Sequence, residues 1–280
     1  MVTEIANAKI NLYLDVTSIR DDGFHNIKSI MHTISLSDKL TFEIIPSDET
    51  CVKIRHNSTE LKNDNSNLIY KSASKYLSYF KVNARVFVEL EKNIPIGAGL
   101  GGGSADAAAT LRALNGVFKL ATKEELLKLA AEIGSDVPFC LMGGIAFCEG
   151  RGEILTQLKE SPSLCLAVAI GEGRVSTPEA YKLLDCKFDY CFDDCKRSLS
   201  DKGYFNIFEE VIFSDEISKI KDILTKNGAE VAMMSGSGPS VFGVFKNESE
   251  ALGAVDVLKK HGFNAYYATS QPVRYIDYDL

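Results

Sequence analysis

Residues 94–107 read IPIGAGLGGGSADA, with five glycines in the seven positions from 97 to 103 and an alanine-rich run directly behind. A stretch of this kind gives up side chains so that something can approach bare backbone. A helix starting here would present unpaired N–H groups and a partial positive charge, and glycines in front let an anion reach both. A phosphate chain is the natural guest. A second glycine cluster, MMSGSGPSVFG, lies between two β-rich runs near the C-terminus. Alone it reads as a hairpin turn. Beside the first cluster, it suggests two backbone surfaces closing on one polyanion.

Three kinds of phosphate loop compete for the first cluster. The Walker pattern needs Gly-Lys-Ser/Thr, yet the last glycine, Gly103, is followed by Ser104 and Ala105. The protein-kinase loop needs later HRD and DFG elements, which the chain lacks. Gly97, Gly99 and Gly102 satisfy the dinucleotide pattern GxGxxG literally. Against it, Pro95 interrupts the strand exit, and the acidic residue expected about 20 positions on is missing, since Glu124 and Glu125 fall at a helix start. A nicotinamide oxidoreductase stays an alternative, and binding of NAD rather than ATP would single it out.

The elements that must position this loop follow from hydrophobic period. Near the N-terminus, Ala6, Ala8, Ile10, Leu12 and Leu14 alternate with Asn7, Lys9, Asn11, Tyr13 and Asp15, which predicts a strand with one apolar and one polar face. A turn at RDDGFHN leads into extended chain through SIMHTISLSDKLTFEII. NLIYKSASKYLSYF carries a helical stripe, and ARVFVELE has strand composition. Helices are predicted for SADAAATLRALNGVF and for TKEELLKLAAEIG, the latter capped by Thr122 and stopped at Gly134. GGIAFCEGRGEIL reads as strand, turn and strand. Beyond a polar, proline-bearing link near 159–163 come the strand LCLAVAI, the helices TPEAYKLLD and EISKIKDILTKNG, and the strands AEVAMM and VFGVF around the second glycine cluster. The helix ESEALGAVDVLKKHG and the strand AYYAT close the order. Helices mix with hairpin-like strand pairs, so the fold class is α+β rather than a doubly wound sheet, with domains expected at 1–158 and 159–280.

Composition narrows the function. The 280 residues are 45% hydrophobic and 25% charged, enough for a substantial core. A net charge of -7 argues against nucleic-acid or membrane partners, whose surfaces are themselves anionic. No apolar run approaches the roughly 20 residues of a membrane helix, and the N-terminus lacks a secretory pattern, so a cytoplasmic protein is expected. Seven cysteines without framework spacing fit a reducing compartment. Cys186, Cys191 and Cys195 cluster, but without CxxC spacing or a nearby histidine they read as reduced thiols rather than a zinc site.

Four stretches carry a resemblance: AKINLYLDV, DDGFHNIKSIMHTISLSDKL, IPIGAGLGGGSADAAATLRALN and GSDVPFCLMGGIAFCEGRGE. Together with STPEAY and MSGSGPS they resemble the GHMP kinase superfamily of small-molecule kinases. Its phosphate loop is matched by Pro95 through Ala105, including Leu100 and Gly101, with glycines in place of two serines; its third motif is matched by Met234 through Ser240. Within the superfamily the chain is most similar to kinases of the non-mevalonate isoprenoid route that act on a cytidine-diphosphate-linked methylerythritol. The resemblance implies two domains, the first like ribosomal protein S5 and the second ferredoxin-like, with the site in the cleft between them. It implies ATP as co-substrate, Mg²⁺ with it, a small-molecule cytidine-diphosphate acceptor, and a monomer or homodimer.

Residue by residue, the resemblance makes Asp136 the base that accepts the hydroxyl proton and Lys9 its charge-stabilising partner. Asn11 and His25 match substrate contacts, His25 at the cytosine. Phe24 stands where the family usually has tyrosine, so a ring remains to stack but a phenol hydrogen bond is gone. Tyr181 stands for an aromatic that sandwiches the base, and Asn67 for an adenine-side contact. Ser104 would reach a phosphate or the metal, whose ligands otherwise stay open, and Asp106 lies in the loop's polar lining or complements the helix dipole. Each has a plainer reading: a solvated strand lysine for Lys9, helix caps for Asp136, Asn67 and Ser104, an incidental turn histidine for His25, and core packing for Tyr181. Lys9 and Asp136 stand far apart in sequence, and only the family match brings them together. A homoserine or mevalonate kinase of the same superfamily is the nearest alternative; a nucleotide- or RNA-binding module would need a basic aromatic stripe, which is missing.

Overall fold

The computed structural model describes residues 1–159, 162–173, 175–187 and 203–272. The chain opens with two long antiparallel strands, β1 (Val2–Ile19) and β2 (His25–Pro46), joined by the predicted turn. The strand β3 (Cys51–His56) and the helix α1 (Leu68–Tyr79) come next, followed by β4 (Ala84–Glu91). Three helices follow, α2 (Gly102–Phe118), α3 (Lys123–Ile133) and the short α4 (Val137–Met142), and then the hairpin β5 (Ile145–Glu149) and β6 (Ile154–Gln157). The second half runs β7 (Cys165–Ile170), α5 (Thr177–Lys187), β8 (Phe205–Asn206), α6 (Asp215–Lys226), β9 (Val231–Met234), β10 (Ser240–Phe245), α7 (Glu248–Lys260) and β11 (Asn264–Thr269).

Two sheets result. The first runs β3-β4-β2-β1-β8, with β5 and β6 attached to β2. The second is wholly antiparallel in the order β11-β7-β10-β9, the ferredoxin-like arrangement of two βαβ halves. The chain passes between the sheets in the link from β6 to β7, and β8 returns from the second half to pair with β1 at Tyr13 and Leu14.

The predicted two-faced strand is corrected. Side chains from Ala8 to Val16 are all buried, including Lys9, Asn11, Tyr13 and Asp15. Register shifts against β2 fall between Asn7 and Lys9 and between Asn11 and Tyr13, and each such irregularity resets which way the side chains point. Ala6 therefore packs among the helices of the first half, Ala8, Ile10 and Leu12 pack against the second sheet, and Leu14 joins a third cluster with Ile27 and Met31. The period-two pattern is real over short runs, but it does not mark a solvent face. β1 is the central partition of the molecule.

α2 leans on β1 along a nearly continuous alanine surface, Ala105, Ala107, Ala108, Ala109 and Ala113, all buried. Small side chains let the helix axis approach the sheet closely, and that approach sets the glycine loop beside Lys9. α1 begins one residue later than its predicted stretch because Asn67 caps it, accepting from the Ile69 N–H. α3 carries a full capping box, Thr122 with Glu125.

Candidate active site

The glycine loop occupies residues 95–103 and runs straight into α2, whose N-cap, Gly101, has a φ of 68°. Left-handed backbone there favours glycine, and so does space: a methyl on Gly101 would lie 2.9 Å from Lys9 Cγ. At Gly99, with φ 77°, a methyl would overlap the Ser235 carbonyl oxygen. The second glycine cluster is thus pressed directly onto the first. Ser235 Oγ donates to Gly99 O at 3.2 Å and accepts from Asn11 N–H at 3.3 Å, while Ser240 N–H donates to Ala98 O at 3.2 Å. Lys9 N–H donates to Leu100 O at 2.9 Å and ties the loop to β1. The two backbone surfaces expected from sequence do close on one another, and a cavity of about 820 Å³ opens along them. Pro95, Gly97, Gly99, Leu100, Gly101, Gly102, Gly103 and Ser104 all line it; Ala105 lies beneath, buried, with its N–H donating to Gly101 O.

Lys9 and Asp136 meet. Lys9 is buried, its Nζ donating to Asn11 Oδ1 at 2.7 Å and standing 3.6 Å from Asp136 Oδ2. Asn11 in turn donates through Nδ2 to Ser29 Oγ at 2.9 Å, which fixes the amide and leaves its oxygen for the ammonium. Asp136 sits at the N-cap of α4, yet its side chain makes no cap hydrogen bond. The plainer cap reading therefore fails for Asp136, and the solvated-lysine reading fails for Lys9. Both line the cavity with Asn11. Nearby Cys140 and Cys148 are inert thiols, pushed upward by burial first and then by the Asp136 charge, Cys148 to about 12.

At the far end of the cavity stand Phe24, His25 and Tyr181. His25 lies flat on Tyr181 with ring centroids 4.4 Å apart, and Tyr181 meets Phe208 edge-on at 5.1 Å. Phe24 is 51% exposed, with the Arg151 guanidinium 5.0 Å over its ring. Phe24 and Tyr181, the rings expected beside a base, both line the cavity, and the face of Tyr181 toward His25 is already covered by the imidazole. Asn67 is placed differently: it caps α1 and is not among the cavity-lining residues, where Leu61 and Leu68 stand instead. Ser104 makes no cap bond, because Gly101 is the N-cap and no side chain caps α2.

Several cavity residues were missed from sequence. Lys92 Nζ bridges two carboxylates beneath the loop, Asp38 Oδ2 at 2.5 Å and Asp106 Oδ2 at 2.6 Å. Burial favours the neutral amine, but the two carboxylates outweigh it and the Lys92 pKa is raised. Asp106 is dominated by burial, reinforced by Asp38 and partly offset by Lys92, and its carboxyl is raised to about 8. Asp38 Oδ1 accepts from the Asn93 and Ile94 N–H groups at the start of the loop. Ser235 was legible as part of the second glycine cluster; Lys92 and Arg151 had only their nearness to glycines to mark them. The described residues gather no group of three or more His, Cys, Asp or Glu able to hold a metal, and of the cysteine cluster only Cys186, exposed and free, lies within them. No described helix is long and apolar enough to cross a membrane.

Comparison with known proteins agrees with this architecture. The family model for the GHMP kinases N terminal domain matches residues 67–144, and the model for the GHMP kinases C terminal matches 197–264. The 4-diphosphocytidyl-2-C-methyl-D-erythritol kinase of Caldicellulosiruptor saccharolyticus is 42% identical over 267 residues, 91% of each chain. The enzyme of the same name from Macrococcus caseolyticus is 40% identical over 272 residues, 92% of this chain and 95% of that one. A crystal structure of 4-(cytidine 5'-diphospho)-2C-methyl-D-erythritol kinase superposes with a TM-score of 0.81 at 31% identity, covering 96% of this chain and 99% of the other. By these matches, the chain belongs to the GHMP kinase family, in its 4-diphosphocytidyl-2-C-methyl-D-erythritol kinase branch.

Proposed function

We propose that this protein transfers the γ-phosphoryl group of ATP to the 2-hydroxyl of 4-diphosphocytidyl-2-C-methyl-D-erythritol, giving the 2-phosphate and ADP, in the cytoplasmic non-mevalonate route to isoprenoid precursors. The observation that carries the reading is the Lys9–Asp136 pair at 3.6 Å, set at the mouth of a glycine cradle. Phosphoryl transfer asks little covalent chemistry of a protein and much positioning and charge stabilisation. The N–H groups at the front of α2, bare of side chains, hold the triphosphate. Asp136 takes the proton of the 2-hydroxyl, the oxygen attacks the γ-phosphorus, and the bond to the β-phosphate oxygen breaks as ADP leaves. Lys9 pairs with Asp136 and stabilises the charge that develops on the transferring oxygens, while Asn11 steers the ammonium.

Phe24, His25 and Tyr181 receive the cytidine, and the adenine lies toward Leu61 and Leu68, beside the start of α1 that Asn67 caps. Mg²⁺ would come with the nucleotide, held mainly by its phosphates with few protein ligands, and Ser104 at the start of α2 is the cavity-lining hydroxyl that would reach it. It would supply neutralisation of phosphate charge there. The two sheets support a division into residues 1–158 and 159–280, with β8 as the strand that crosses back to the first sheet. The direct test is incubation with ATP and the diphosphocytidyl-methylerythritol, with phosphorus NMR of the product. A new phosphomonoester on the methylerythritol unit supports the reading; turnover of homoserine or mevalonate instead would replace it.

A further inference from the structure

Tyr181 and Asp185 stand one turn apart on α5, so they share a face of that helix. His25, the first residue of β2, meets both: its ring stacks on Tyr181, and its Nε2 lies 2.8 Å from Asp185 Oδ1. One helix of the second half thus supplies both a platform and a hydrogen-bond partner for a side chain of the first. We propose that Asp185 is a positioning residue for substrate recognition, holding the His25 imidazole in the tautomer that selects a 4-aminopyrimidine over a 4-oxopyrimidine. The inference rests on the cytidine reading above.

The argument is one of donors and acceptors. A carboxylate that accepts from the imidazole places the proton of this contact on Nε2. In a neutral imidazole the other nitrogen, Nδ1, is then an acceptor. Cytosine presents an amino donor at its 4-position, whereas a 4-oxo base presents an acceptor there. An imidazole fixed in this tautomer is complementary to the first and repelled by the second. The opposite tautomer would reverse that preference. Arg151 and Lys182 line the same cavity, but their side chains are donor-only and supply no acceptor for an amino group.

The test compares the full-length protein with Asp185→Asn and Asp185→Glu, using the cytidine substrate and its uridine counterpart. The amide of Asp185→Asn can donate as well as accept, so it no longer dictates the tautomer. The expected result is a higher KM for the cytidine substrate and a cytidine-over-uridine preference reduced on the order of tenfold or more. KM for ATP and kcat at saturation should stay near wild type, and Asp185→Glu should recover part of the preference. An unchanged preference in Asp185→Asn would overturn the proposal. So would a lowered KM for the cytidine substrate, which would make the pair a latch that the base must break. Failure of the wild type to phosphorylate the cytidine substrate would instead remove the functional reading itself.

Discussion

Lys9 and Lys92 approach the same glycine loop from its two sides: a methyl on Gly101 would meet the Lys9 chain, and one on Gly102 would lie 3.0 Å from Lys92 Nζ. Around Lys9 the partners are spaced and open, with Asp136 at 3.6 Å and its side chain 29% exposed. Around Lys92 they are short and sealed, with Asp38 and Asp106 at 2.5 and 2.6 Å and side chains of 5% exposure or less. An ion pair that must exchange a proton with a substrate has to keep one face toward the cavity. A pair that only holds a loop gains from exclusion of water, because its attraction is then least screened. Under the proposed function, equally buried lysines are divided between reactivity and anchorage by how far their carboxylate partners open to the cavity.

The largest way to break that contrast is at Asp136. Asp136→Ala should lower kcat by about 10²- to 10⁴-fold, the usual worth of a positioned general base, and leave ATP affinity nearly unchanged. Isothermal titration with a non-hydrolysable ATP analogue, beside steady-state kinetics, checks both halves; turnover at the wild-type rate would free Asp136 of its role. Lys92→Met should act on stability instead. Removing one partner from a buried pair costs about 3–5 kcal/mol, and here it strands Asp38 and Asp106 under the loop. Urea unfolding should show a midpoint far below wild type, whereas a variant of wild-type stability would make the cluster dispensable.

Gly101→Ala tests the Lys9 side by geometry. Left-handed backbone costs a non-glycine residue roughly 1–2 kcal/mol, and the new methyl must displace the Lys9 chain. Turnover should fall more than stability does, and equal losses would mean that the loop, not Lys9, had moved.

Asp106→Asn probes the sealed side through pH. The Asp106 carboxyl is raised to about 8 in the fold, against about 4 in the unfolded chain, so folding takes up a proton between those values. Its contribution is fully present below about pH 4 and is lost as pH rises through about 8. The asparagine variant escapes that loss. Its stability relative to wild type should therefore climb from pH 5 to 8 and level off above. A difference that stays flat from pH 5 to 9 would mean that Asp106 is ionised throughout.

Sequence legibility follows the same division. The glycine loop was plain because it is local: five glycines before an alanine run admit few explanations. The helices with strong caps, such as the one opened by Thr122 and Glu125, were placed almost to the residue. β3 was missed because its polar, half-exposed edge pattern resembles a loop, while α4, too short to show a period, was marked only by the cap reading of Asp136. The polar residues of β1 were expected on a solvent face, since no local signal announces the irregularities that turn them inward. The Asp38–Lys92–Asp106 cluster joins β2, the entry to the loop and α2, and nothing in any one segment points to the other two. Lys9 and Asp136 were brought together only by likeness to a family. Their distance was settled by the close seat of α2 on β1 and by the start of α4.

The central claim is that Lys9 and Asp136 act as one unit on the transferring phosphoryl group. Single-turnover rates at saturating ATP for Lys9→Met, Asp136→Asn and the double variant test it most directly. Residues that act together lose their function together, so the double variant should be about as slow as the slower single variant. Losses that multiply, each variant reducing the rate by its own factor regardless of the other, would contradict the account.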